Sequence, residues 1–162
     1  MRVLISAYSC RPGKGSEQDV GWHIGKGVAA EHEVWLITRE SNRHAIEAEL
    51  AARPVPRLNV VYHDLGPVAL RLKGLPNGTR AYYAAWQRSI VPLARRLHDE
   101  LGFDLVHHLT FAQYWAPSHL AAMGLPFVWG PVGGGEAAPP VLLAGLRPRD
   151  RAQELLRLGV QR

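Results

Sequence analysis

The sequence predicts an α/β fold, a parallel β-sheet covered by helices on both faces. Three observations carry this. Short apolar runs recur at 2–7, 34–38, 58–63, 105–109 and 126–130, each the length of a buried strand. Helical patterns separate most of these runs. The run Val34-Trp35-Leu36-Ile37-Thr38 is apolar on both faces, as interior parallel strands are.

The elements follow in order. Arg2-Val3-Leu4-Ile5-Ser6-Ala7 reads as the first strand, and Tyr8 to Ser16 as a loop with two glycines and two cations. Residues 17–30 read as a helix, with Val20, Ile24 and Val28 as its buried stripe and Gly21, Gly25 and Ala29 one step on, where they would allow close packing on a sheet. Ser16 with Asp19 resembles a capping box. Ser41 or Asn42 is placed to cap a helix through about Ala52, with Ile46 and Leu50 inward. Residues 64–78 read as a Pro/Gly-rich connection, a surface loop whose Leu70-Arg71-Leu72-Lys73 stretch also suits an anionic membrane surface. Tyr82, Trp86, Ile90, Leu93, Leu97 and Leu101 form a long amphipathic stripe. Pro92 predicts a kink or two consecutive helices there. Pro117 opens a short helix to about Met123, and residues 150–158 suit another. Alternating strands and helices make a Rossmann-like layered domain.

Composition narrows the class. The chain has 162 residues, 47% hydrophobic and 20% charged, which suits one globular domain with a real core. No run of about 18 apolar residues is present, so no transmembrane helix is expected. One cysteine, Cys10, excludes an internal disulfide and suits a reducing compartment. The expected location is cytoplasmic, with a peripheral contact at the inner face of the membrane left open. Net charge of +5 favours anionic partners, but the arginines are scattered and no aromatic-basic stripe points to nucleic acid.

Ligands in such folds sit beyond the C-terminal ends of the strands. The informative residues are therefore Tyr8 to Ser16, Thr38 to Asn42, His107 to Thr110 and Gly130 to Glu136. Gly13-Lys14-Gly15-Ser16 lacks the Walker spacing but runs into a helix N-terminus, where free N–H groups suit a phosphate. Glu17 and Asp19 share that positive end and argue against a bare anion. Gly25-Lys26-Gly27-Val28-Ala29-Ala30 matches a dinucleotide fingerprint as a string, yet it lies inside a helix. Gly133-Gly134-Gly135 suggests close backbone approach to a ligand, or a hinge. His107 and His108 end the fourth strand on opposite faces; either suits hydrogen bonding to a ligand or acid–base work, and a buried structural role is the alternative. With His119 they lack the carboxylates of a metal site, so none is expected. Cys10 reads equally as inert or reactive.

Several blocks together carry a resemblance. Gly15-Ser16-Glu17 with Gly21-Trp22, Asp104 to Phe111, Trp115-Ala116-Pro117-Ser118 and Pro126 to Glu136 resemble the N-terminal domain of family 4 retaining glycosyltransferases, over residues 1–140. The resemblance implies the N-terminal half of a GT-B architecture, two Rossmann-like domains facing across a cleft. It implies an enzyme moving a sugar from a nucleotide-diphosphate donor to a hydroxyl acceptor, in polysaccharide or glycolipid synthesis, with no cofactor or metal. Gly13, Gly15 and Ser16 would approach the donor diphosphate. Tyr8, Gly133, Gly134, Gly135 and Glu136 would lie on the acceptor side. His108, or alternatively His107, would contact the transferred sugar. The family's donor domain, with its paired glutamates and Arg/Lys pair, does not fit in residues 141–162. The 162 residues alone are therefore expected to be inactive until a donor domain completes them. The alternative is a non-catalytic binding or assembly module completed by a partner chain.

Overall fold

A computed structural model describes residues 1–114, 116–133, 136 and 139–160. Strands β1 (Arg2–Ser6), β2 (Glu33–Thr38), β3 (Leu58–Tyr62), β4 (Leu105–His108) and β5 (Phe127–Trp129) form one sheet in the order β3-β2-β1-β4-β5. Every pairing is parallel. The chain winds outward from β1 to β3, then returns to lay β4 on the other side of β1. That reversal puts a topological switch point between the C-terminal ends of β1 and β4. The fold is the α/β, Rossmann-like arrangement that the alternating pattern predicts.

The central strand explains the layering. Val3, Leu4, Ile5 and Ser6 are each 1% exposed or less. Val3 and Ile5 face a core with Trp22, Leu36 and Ile46, while Leu4 faces a second core with Trp86, Ile90 and Val106. Helices α1 (Ser16–Glu31) and α2 (Arg43–Ala52) supply the first core. Helix α4 (Gly78–Leu101) and a 3-10 turn at His119–Met123 close the second. Helices α5 (Pro140–Leu143) and α6 (Pro148–Val160) follow β5. Among the described residues no helix is long and apolar enough to cross a membrane.

The structure refines five expectations. On α1, Gly21, Gly25 and Ala29 lie close on the sheet as their spacing suggests, and Ile24 and Val28 pack partly buried against the same core, but Val20 is 39% exposed while Trp22 is buried. A Cβ on Gly21 would lie 2.3 Å from the Ser9 carbonyl oxygen, and one on Gly25 2.6 Å from Leu36 Cδ1. Close approach of the backbones, not apolar bulk, chose this face. The connection at 64–78 contains a helix, α3 (Pro67–Leu72), with Val68, Leu70 and Leu72 exposed. Of the two alternatives at Pro92, two consecutive helices are excluded, because helix α4 runs through Pro92 as one element although Pro92 has no N–H for the Arg88 carbonyl. The segment after Pro117 is a 3-10 turn whose cap is Ser118, which accepts from the Leu120 N–H. Neither Ser16 nor Asn42 caps its helix with its side chain; Asn42 instead turns inward to donate to Thr38 Oγ1 at 2.8 Å.

Replacing Gly21 by Ala drives a methyl into backbone atoms that no rotamer change relieves. Gly21→Ala should destabilise the protein by about 3 kcal/mol in urea unfolding. Gly27→Ala, on the same helix with open space around its Cβ, should stabilise it by roughly 0.5–1 kcal/mol.

Candidate functional site

The loops that leave the C-terminal ends of the strands are tied to one another across the switch point. The Ser9 N–H donates to Thr110 Oγ1 at 2.9 Å in a buried bond. The Glu17 carboxylate, one turn into α1, accepts from the Phe111 N–H at 2.5 Å. Gly21 sits against both segments, its Cβ direction pointing at Ser9 and Thr110. The glycine-rich loop and the loop after β4 therefore move as one wall.

Within that wall, Gly13, Gly15 and Ser16 hold φ values of 67°, 70° and 54° and are exposed. This left-handed run costs nothing for glycine but is strained for Ser16. Asp19 accepts from the Gly13 N–H at 3.1 Å. The two acids of the first turn thus fill inward hydrogen bonds: Glu17 reaches the neighbouring loop and Asp19 its own. No side chain caps α1 at Gly15, so its first-turn N–H groups still face the edge.

Tyr8 is not a loop aromatic standing in solvent; its residue is 2% exposed. Its ring packs edge-on against Tyr83, Trp86 and Phe111, with centroids 4.9, 5.2 and 4.9 Å away. Arg39 lies over the ring, 4.2 Å from its centroid, and its Nε donates to the Tyr8 carbonyl at 2.9 Å. Burial, the largest influence on the Tyr8 phenol, pushes its pKa up against the opposing pull of Arg39. Arg39 falls in the segment that the strand-end rule singles out.

The two histidines diverge as strand alternation predicts. His107 Nε2 is 2.7 Å from the Gly130 carbonyl oxygen and donates to it, which holds the loop after β5. His108 is 1% exposed. Its Nε2 is 3.0 Å from the Thr110 carbonyl and 2.9 Å from the Tyr83 hydroxyl, which itself donates to the Phe111 carbonyl. Two acceptors around one nitrogen put the hydrogen on Nε2. Nδ1 is then a buried acceptor with no partner among the described residues. Burial, above all, brings His108 down to about 4, so the ring is neutral at pH 7.

Glu17, Phe111, Pro131, Gly133 and Glu136 line a cleft of about 460 Å³ at this edge. The Gly133 N–H donates to the Ala112 carbonyl at 2.9 Å, which extends the pairing of β4 and β5 beyond the strands. Among the described residues, a Cβ on Gly133 would meet only the Ala112 oxygen, 4.0 Å away. Gly134, Gly135 and Trp115 lie outside the described residues. A second cleft of about 400 Å³ shares Phe111 and Gln113 and adds Arg80, Arg88 and His119. The arginines sit on the outer face of α4, where the hydrophobic pattern gives no signal of a site. Cys10 is buried and its thiol is pushed up to about 12 by burial, which removes it as a nucleophile near neutral pH. Among the described residues no group of three or more His, Cys, Asp or Glu side chains is arranged to hold a metal ion.

The His108 environment has a pH consequence. Its folded pKa of about 4 lies below the ~6.5 of an exposed histidine, so the unfolded chain takes up the proton first. The contribution of His108 is complete above about pH 6.5 and is lost as pH falls toward 4, a total of about 3 kcal/mol. His63, also lowered chiefly by burial, acts in the same direction. An NMR titration of the His108 imidazole should show it neutral to below pH 5, with stability falling across that window; a midpoint near 6.5 would contradict the assignment.

Among known proteins, no family model matches the chain and no curated protein is similar to it.

Proposed function

We propose that this domain is the acceptor-side half of a retaining glycosyltransferase. It would present a hydroxyl acceptor to a nucleotide-diphosphate sugar held mainly by a second Rossmann-like domain. The observation that supports this reading is convergence: blocks around residues 8–17, 107–113 and 130–133 with Glu136, far apart in sequence, meet at one edge of a parallel sheet. In this reading the acceptor lies along the cleft that Glu17, Gly133 and Glu136 line. The donor diphosphate approaches the exposed Gly13-to-Ser16 loop, where the α1 dipole opposes its charge. During transfer the bond from the sugar's anomeric carbon to the diphosphate breaks. A bond to the acceptor oxygen forms on the same face, and the hydroxyl proton leaves with the diphosphate.

His108 then acts as a positioning residue rather than an acid or base. It is neutral, enclosed, and anchors the carbonyl of Thr110 and the hydroxyl of Tyr83 beneath the cleft. His107 acts similarly on the loop after β5. The enclosure of the His108 ring also favours a second reading, a non-catalytic binding module completed by a partner chain. A peripheral membrane contact through the exposed leucines of α3 is compatible with either.

Turnover separates them. Residues 1–162 alone should show no measurable sugar transfer from nucleotide-diphosphate donors. Adding a donor domain that carries the paired glutamates should restore transfer in the first reading and leave it at zero in the second. Substantial transfer by the isolated chain would overturn the half-enzyme proposal.

A further inference from the structure

The second cleft, between α4 and the chain that follows β4, carries the opposite charge from the first. Arg80, Tyr83, Gln87 and Arg88 present one face of α4 to it, at i, i+3, i+7 and i+8. Gln113, Pro117 and His119 form the facing wall. Among the described residues no acidic side chain lines this cleft, whereas Glu17 and Glu136 line the first. Arg80 and Arg88 are both exposed and stand about 12 Å apart along the helix. Among the described residues the Arg80 guanidinium has no hydrogen bond or ion pair, and Arg88 reaches only the Ala84 carbonyl, at 3.4 Å.

A second, independent observation lies between the two arginines. Gln87 is 5% exposed, and its side-chain amide has no hydrogen-bond partner among the described residues. The other buried positions of α4 are Tyr82, Tyr83, Trp86, Ile90 and Ala94, so the packing itself asks for no amide here. A buried amide without a partner is destabilising. Its atoms are not among the fully enclosed polar atoms, and the cleft is where the residue reaches the surface. Two guanidinium groups and an unpaired amide donor along one wall suit the oxygens of a carboxylate or phosphoryl group better than a neutral hydroxyl.

The two clefts are continuous through Phe111 and Gln113, which line both. Phe111 holds a φ of 59°, fixed because Glu17 accepts from its N–H and the Tyr83 hydroxyl donates to its carbonyl. The Gln113 backbone pairs with Gly133. The ridge between the clefts is therefore rigid, and its surroundings change from acidic to basic across it.

We propose that the cleft between Arg80 and Arg88 binds the negatively charged group of an acidic sugar. Where the sugar-transfer reading holds, on which this assignment rests, the acidic unit belongs to the acceptor. Its reacting hydroxyl then lies in the first cleft and its anion in the second, with Phe111 beneath both. A carboxylate on a uronic acid and a phosphoryl group on a sugar phosphate share this chemistry.

An NMR titration of labelled residues 1–162 tests the site without requiring turnover, with glucuronate, glucose 6-phosphate and glucose as probes. The Gln87 side-chain amide signals should shift with an acidic probe and stay in place with glucose. A response to glucuronate alone assigns a carboxylate, to glucose 6-phosphate alone a phosphoryl group, and to both a site selective for charge. Arg80→Gln and Arg88→Gln should each weaken binding roughly tenfold. Arg71→Gln, which removes the same charge from α3, should leave it unchanged. Gln87→Met should weaken binding without lowering the melting temperature, because the amide has no partner to lose. No shift with either acidic probe, equal binding of glucose, or equal affinities in Arg80→Gln, Arg88→Gln and Arg71→Gln overturns the site. Each of those results leaves the sugar-transfer reading to the turnover assay.

Discussion

The ligand-facing edge depends on the burial of the chain from Val3 to Cys10 on both sides of the sheet. Every residue in that stretch is 4% exposed or less. A strand enclosed this way must satisfy its backbone through its neighbours. It does so beyond the end of β1: the Ala7 N–H donates to the Ile37 carbonyl and the Ser9 N–H to Thr110 Oγ1. The segment a sequence reader treats as a loop is structurally the continuation of the core. The exposed turn begins only past Pro12, and its anchors at Glu17 and Asp19 belong to α1.

This explains the behaviour of the aromatic cluster. With Tyr8 held as a core residue, Tyr83, Trp86 and Phe111 collect around it from α4 and the loop after β4. His108 is enclosed by the same packing. The aromatic floor contributes stability through apolar burial and also fixes where Arg39 rests. Core and candidate site are here one set of contacts, so the two cannot be altered independently.

Much of the frame was legible from the sequence. The five strands lie within two residues of the runs of Val, Leu and Ile that announce them, and the stripe from Tyr82 to Leu101 marks the helix on the second face. On α1 the small residues that approach the sheet were legible, but Val20 was misplaced on the buried stripe for a physical reason. Hydrophobic periodicity weighs side-chain bulk, whereas a helix lying close on a sheet selects small residues, and Gly21, Gly25 and Ala29 carry almost no hydrophobic weight. Helix α3 is too short for its period to show between prolines and glycines. In the site, the strand-end rule reached Tyr8, Arg39, His107 and His108. It missed Arg80 and Arg88, which reach the second cleft from the outer face of α4, and the inward use of Glu17, Asp19 and Asn42, which read as ordinary helix-terminus residues.

The contrast between Gly21 and Gly25 extends to what evolution can do with them. The obstacle beside Gly25 is the tip of Leu36, a side chain that a single second change to a smaller residue would remove. The obstacle beside Gly21 is the carbonyl of Ser9, which every amino acid carries. A larger residue at 25 has a compensating partner within one mutational step, but at 21 no substitution elsewhere restores the room. The geometry of the glycine-rich loop relative to the sheet is therefore fixed at a position with no suppressor, while the cleft walls around it remain free to diverge.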